Sequence, residues 1–191
     1  MQVTSSSKNG HGCRLSTEYR ELRESLLSFY DDTREQRYDR YSAVIAYKSV
    51  KDELVGGIRM IVSRVGNEKP LPLEKITNMR LANLFSCGLK MISYAEAGGI
   101  VVHPDYEGRE IASLLYFQLL EEAIDEKVKY IFSLAERGTA NKLARLPFTS
   151  VMNPEIVTGC PYLSRKAGKD SVLVCIDTHN LLEYFRRENE S

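Results

Sequence analysis

The chain has no tryptophan, only three histidines among 191 residues, and no surplus of either charge: 26 Lys and Arg stand against 26 Asp and Glu. A zero balance excludes a broad nucleic-acid-binding face, which needs a basic excess to neutralise phosphates. Apolar residues make up 43% of the chain, yet no run approaches the ~20 residues of a membrane span. The opening "MQVTSSSKNGHGCR" lacks the apolar stretch of a secretory leader. The four cysteines, Cys13, Cys87, Cys160 and Cys175, lie far apart and form no Cys-x-x-Cys pair. A zinc site or redox dithiol therefore has no motif behind it, and no metal is expected. Free thiols in a reducing cytoplasm are the reading that remains.

What is present is an ordinary globular pattern, long enough for one core without staples. Residues 1–15 are rich in Ser, Gly and Asn and are expected to be a disordered tail, with a single domain over residues 16–185. Ser16 and Thr17 suit a cap, and Leu22, Leu26, Leu27 and Phe29 supply the apolar stripe of a helix running to Tyr30. "AVIAYKS" and "LVGGIRMIVSR" form a hairpin pattern over 43–64. A helix is expected near Leu73–Phe85, a strand in "SYAEAGGIVV", a helix over 109–126 and a strand in "YIFSLA". A short helix in "TANKLARL", a strand in "SVLVCIDT" and a terminal helix complete the chain. This order predicts an α/β (α+β) fold with a mixed sheet, and the strand–helix–strand unit at 94–135 predicts a parallel, right-handed crossover.

The stretch "GIVVHPDYEGREIASLL" is the most informative. A strand stops, a polar loop follows, and Ile111, Leu114 and Leu115 open a helix at once. The first turn of a helix carries unpaired N–H groups at the positive end of the dipole, a ready site for phosphate. Gly108 allows close backbone approach and Arg109 adds a positive charge.

With its flanks, this stretch resembles the acyl-CoA-binding segment of the GNAT acyltransferase superfamily. Ile100, Val102, Pro104, Gly108, Ile111, Ala112 and Leu115 carry the resemblance, and Asn141 and Phe148 match a later segment. A narrower resemblance is to the branch holding the autoinducer (acyl-homoserine lactone) synthases and long-chain N-acyl amino acid synthases. It rests on Leu22-Arg23, Tyr38-Asp39, Gly56 with Arg59, Leu71-Pro72 and Glu96. The chain departs from the superfamily pattern at Glu107, Glu110, Leu143 and Pro147, and it lacks the Ser-Arg that the branch usually carries after the matching Glu.

The resemblance implies a GNAT-like mixed, splayed sheet flanked by helices, and direct transfer of an acyl group from a thioester to an amine. The donor is acyl-CoA or the phosphopantetheine of an acyl carrier protein, and an amino acid or amino-acid-derived amine is a fitting acceptor. Glu96 is the expected general base. Ile100, Val101 and Val102 would hold the donor and offer an N–H to the thioester oxygen. Gly108, Arg109, Glu110, Ile111 and Ala112 would cradle its phosphate, with Asn141 also on the cofactor. Arg59 suits a substrate carboxylate through its bidentate fork, and Arg23 with Asp39 would pair and order the N-terminal loop over the acyl pocket. Glu107 and Glu110 oppose a multiply charged anion, which favours the single phosphodiester of a carrier protein over coenzyme A. The other readings are a small-molecule N-acetyltransferase using acetyl-CoA and a non-catalytic acyltransferase-like binding module.

Overall fold

The structure, a computed structural model, describes residues 2–5, 12–26, 42–66, 70–77, 80–81, 92–136, 140–141, 144–145, 149–151 and 171–189. Along the chain run β1 (Gln2–Ser5), α1 (Gly12–Leu26), β2 (Ser42–Lys48), β3 (Leu54–Ser63), α2 (Pro72–Thr77) and β4 (Tyr94–Val102). They are followed by α3 (Ile111–Asp125), β5 (Tyr130–Glu136), β6 (Thr149–Val151), β7 (Ser171–Asp177) and α4 (Thr178–Asn189). The chain forms two compact units, Met1–Ile61 with Ala97–Glu122, and Val62–Glu96 with Ala123–Ser191.

In the first unit the strand order is β1-β2-β3-β4. The expected hairpin is antiparallel, with Ala43 opposite Met60 and Ile45 opposite Ile58. Its middle is buried completely: Val44, Ile45 and Ile58 are all at 0% exposure. Residues 2–5, expected within a disordered tail, form β1, antiparallel to β2 with Val3 opposite Tyr47. A four-residue segment gains a partner here by filling the edge of an already buried strand. Helix α1 is described over Gly12–Leu26 and begins before the expected Ser16, while residues 27–30 of the expected helix lie outside the described residues. Once nucleated, a helix gains one hydrogen bond per residue, which outweighs the local capping preference of Ser16 and Thr17.

Paired glycines set how closely the helices approach β3. A Cβ on Gly57 would sit 2.5 Å from Tyr19 Cδ2 on α1, and one on Gly56 would sit 3.1 Å from Ile111 Cγ2 on α3. Successive strand residues face opposite sides, so α1 and α3 each use one glycine. Tyr19, at 0% exposure, fills the first gap within a cluster of Val44, Ala46 and Val101, flanked by Leu22, Leu26 and Leu54.

In the second unit the order is β4-β5-β7-β6. The expected parallel pair is there: Tyr94, Ala95 and Glu96 lie opposite Tyr130, Ile131 and Phe132. β7 runs antiparallel to β5 along its full length and also takes β6, which the sequence pattern does not announce. Of the helix expected near Leu73–Phe85, α2 covers Pro72–Thr77. α4 starts where Asp177 Oδ1 accepts from the amides of His179 and Asn180 at 2.9 and 3.2 Å, an N-terminal cap built on the strand's last residue. Thr178 ties this junction to the start of β5 by donating its hydroxyl to Val128 O at 2.6 Å. The result is a mixed sheet flanked by helices. Among the described residues no helix is long and apolar enough to cross a membrane.

Two measurements test this packing. Gly57→Ala forces the Tyr19 ring to move and is expected to cost about 1–3 kcal/mol of stability, the usual range for overpacking, read from urea unfolding. Cys175 is a buried free thiol, pushed up to about 12 from 9.0 by burial and, less, by the charge of Asp177. The unfolded chain loses this proton first, so the thiol's contribution to stability falls as pH rises between those values. Relative to Cys175→Val, the wild type should lose urea midpoint as pH rises above about 9 toward about 12.

Candidate active site

The loop after β4 is built by its own backbone. His103 N donates to Val55 O at 2.8 Å, holding the end of β4 to the start of β3. His103 Nδ1 then accepts from Asp105 N at 3.3 Å, capping a single 3-10 turn over Pro104–Tyr106. This gives His103 a structural role. Gly108 and Glu110 have φ of 74 and 59, both in the left-handed region. The expected helix over 109–126 begins at Ile111, because Glu110 leaves helical geometry while its carbonyl accepts the first helical bond, from Leu114 N at 3.0 Å. Glycine takes that conformation readily and glutamate at a cost of order 1 kcal/mol.

The loop thus enters a 15-residue helix through an exposed turn, 107–110, anchored by Ile111 at 2% exposure. Helix geometry leaves the N–H groups of that first turn without partners four residues back, and they point out of the helix end. Arg109 lies beside them with its guanidinium 5.0 Å from the Tyr106 ring centroid. The expected phosphate-holding residues Gly108, Arg109, Glu110, Ile111 and Ala112 are therefore contiguous on one turn. Glu107 and Glu110 are exposed on it.

Upstream, within the continuous strand β4, Gly99 takes a left-handed φ of 66. Tyr19 donates its hydroxyl to Gly99 O at 2.5 Å. A Cβ on Gly99 would meet that hydroxyl at 2.5 Å and Arg23 Nη1 at 3.1 Å, so glycine is needed twice over. Arg23, at 1% exposure, lies 5.6 Å from the Tyr19 ring centroid. Val101 is buried, while Ile100 and Val102 are half-buried. Arg59 is at 3% exposure, and strand alternation puts it on the same face as Gly57, opposite Val44. Arg23 and Arg59 are therefore both interior side chains on the α1 side of the sheet. Asp39, Tyr38, Leu143, Pro147 and Phe148 lie outside the described residues.

In the second unit Glu96 is half-buried and its Oε2 accepts from Leu73 N at 2.8 Å, in the first turn of α2. Beside it stands a residue that sequence reasoning missed as a hub. Glu74, at 3% exposure, accepts from Leu71 N at 2.8 Å, Leu81 N at 2.9 Å and the Tyr94 hydroxyl at 3.0 Å. Arg80 approaches it at 3.3 Å. Burial pushes the Tyr94 hydroxyl up from 10.0; a hydrogen bond from Ser63 opposes this, and the charge of Glu74 adds to it. The Leu71 contact is half of a capping box, with Pro72 at the first helical position and Glu74 at the third. "LPLE" carried that signal. Asn141 is exposed in a helical turn of this unit. Among the described residues no three His, Cys, Asp or Glu side chains gather as a metal site. Glu74→Gln sets an NH2 against at least one donor and is expected to cost roughly 2–4 kcal/mol, measurable by chemical denaturation.

The model of the acetyltransferase (GNAT) family matches residues 13–146. No curated protein matches the chain in sequence. Among solved structures, FeeM, an N-acyl amino acid synthase from uncultured soil microbes, superposes with TM-score 0.58 at 13% identity, covering 93% of this chain and 95% of that one. Tetrahymena GCN5 gives TM-score 0.54 at 12% identity, covering 93% and 98%. The ribosomal-protein-alanine N-acetyltransferase from Brucella melitensis gives 0.52 at 16%, covering 93% and 99%. At these identities the superpositions speak for the fold, and the family match speaks for the chain: the protein belongs to the acetyltransferase (GNAT) family and is an N-acyltransferase.

Proposed function

We propose that the chain transfers an acyl group directly from an acyl thioester to the amine of an amino acid or a related acceptor, within one acyltransferase domain over residues 16–185. The observation that carries this is the run from Gly99 to Ala112: a positive-φ glycine within β4, followed by an exposed helix-entry turn with Gly108 and Glu110 also at positive φ. Such a run suits a phosphopantetheine arm, with its thioester beside the strand after Gly99 and its phosphate on the amides of Gly108–Ala112. Arg109 adds a positive charge to that turn. Glu107 and Glu110 work against a multiply charged anion, and this favours a carrier-protein arm over coenzyme A as donor.

The chemistry requires few groups. The amine nitrogen attacks the thioester carbon, a C–N bond forms, the C–S bond breaks and the thiolate leaves to take a proton from water. The proton lost by the amine goes to a base. Glu96, on the same strand as Gly99 and three residues before it, is that base, held by the amide of Leu73. Arg59 takes the acceptor's carboxylate, because a guanidinium matches it in a bidentate fork and burial strengthens the attraction. Arg23 supports the acyl pocket, and Asn141 the cofactor. FeeM's description as an N-acyl amino acid synthase agrees with an amino-acid acceptor.

The test is a thiol-release assay with acyl-CoAs of graded chain length and with acyl carrier protein, against a panel of amino acids. Glu96→Gln should lower turnover by roughly 100-fold or more and leave folding intact; unchanged turnover removes Glu96 from the mechanism. Arg109→Ala and Ala112→Asp should weaken donor binding, the latter by placing a carboxylate among the phosphate-binding amides. Donor binding that ignores both changes rejects the loop assignment.

A further inference from the structure

We infer that Tyr19 is a positioning residue for acyl transfer: by holding the Gly99 carbonyl it sets the direction of the Ile100 amide, the donor to the thioester oxygen. This rests on the acyl-transfer reading above. Tyr19 is wholly buried and its hydroxyl donates to Gly99 O at 2.5 Å. The φ of 66 takes Gly99 out of ordinary strand geometry, and the carbonyl it leaves there is the one that Tyr19 holds. No cis peptide occurs among the described residues, and in a trans peptide the C=O and the next N–H point in opposite directions. Anchoring the Gly99 oxygen toward α1 therefore aims the Ile100 N–H away from α1.

The Tyr19 ring cannot drift, because its Cδ2 lies 2.5 Å from where a Gly57 side chain would begin and Val44, Ala46 and Val101 enclose it. Helix α1 is thus coupled through one hydroxyl to one peptide plane. During transfer the thioester oxygen gains negative charge as the C–N bond forms, before the C–S bond breaks. A donor already aimed at that oxygen avoids reorganisation at that moment, and mis-aiming it is felt in the transition state more than in donor binding.

The experiment uses the full chain, Tyr19→Phe, and isotope-labelled octanoyl-CoA as probe. Phenylalanine keeps the ring in its gap and removes only the hydroxyl. Three quantities are read: probe affinity, the infrared carbonyl stretch of the bound thioester, and thiol release to hydroxylamine, an amine small enough to need no acceptor pocket. We expect affinity within about twofold, turnover lower by roughly 10–100-fold, and a carbonyl stretch moved back toward its value in water. Unchanged turnover and stretch overturn the inference. So does lower turnover with an unchanged stretch, which marks Tyr19 as packing only. Should Tyr19→Phe not fold, 3-fluorotyrosine at position 19 keeps ring and hydroxyl and makes the donor more acidic; the stretch must then move, and its failure to move overturns the inference. Where only octanoyl-acyl carrier protein serves as donor, it replaces octanoyl-CoA as probe; wild-type protein that binds neither and releases thiol from neither rejects the acyl-transfer reading and this inference with it. Wild-type activity with an indifferent Tyr19→Phe rejects the inference alone.

Discussion

The burial of Tyr19 is the contact on which the first unit turns. A large ring can reach β3 only because Gly57 offers no side chain, and its hydroxyl can reach β4 only because Gly99 has none either. One residue of α1 thereby reads two strands. The same packing encloses Arg23 at 1% exposure, a group that water would otherwise hold strongly. Without the two glycines, α1 would have to lie farther out, and the Gly99 carbonyl would lose the hydrogen bond from Tyr19.

The second unit solves a different problem. Amides at Leu71 and Leu81 must find partners away from water. Glu74 accepts from both with one carboxylate, whose two oxygens also take the Tyr94 hydroxyl and the Arg80 guanidinium. A neutral residue could not accept from so many donors. The adjacent amide of Leu73 goes to Glu96. One short helix entrance therefore draws on two glutamates with different tasks: Glu74 is locked in the interior, while Glu96, half-buried on β4, is the one proposed to take a proton. The resemblance singles out Glu96 and the capping pattern of "LPLE" marks Glu74, but neither announces that Glu74 is buried as a hub.

Local order was legible wherever periodicity and turn chemistry agree. The hairpin of β2 and β3, the parallel entrance of β4 and β5 and the helix after "HPDYEGRE" follow from alternation, a strand–helix–strand order and a stripe at Ile111, Leu115 and Leu119. Boundaries shifted where two local preferences compete: Glu110, a passable helix former, sits at φ 59 and delays α3. β1 and β6 escaped notice because strands of 4 and 3 residues carry too little pattern and exist only through the partner they pair with.

The sequence by itself determined the mixed α/β order, the helix-entry turn with Gly108 and Arg109, and the absence of a metal-binding cysteine pair. These depend on residues adjacent in the chain, where backbone sterics and hydrophobic period act directly. Only the tertiary structure decided that Arg23 and Arg59 are interior rather than surface charges, that Glu74 gathers four donors, and that Tyr19 meets Gly99. The last pair is separated by 80 positions. Such contacts arise when whole faces pack, and packing depends on volumes and gaps that a one-dimensional pattern does not encode.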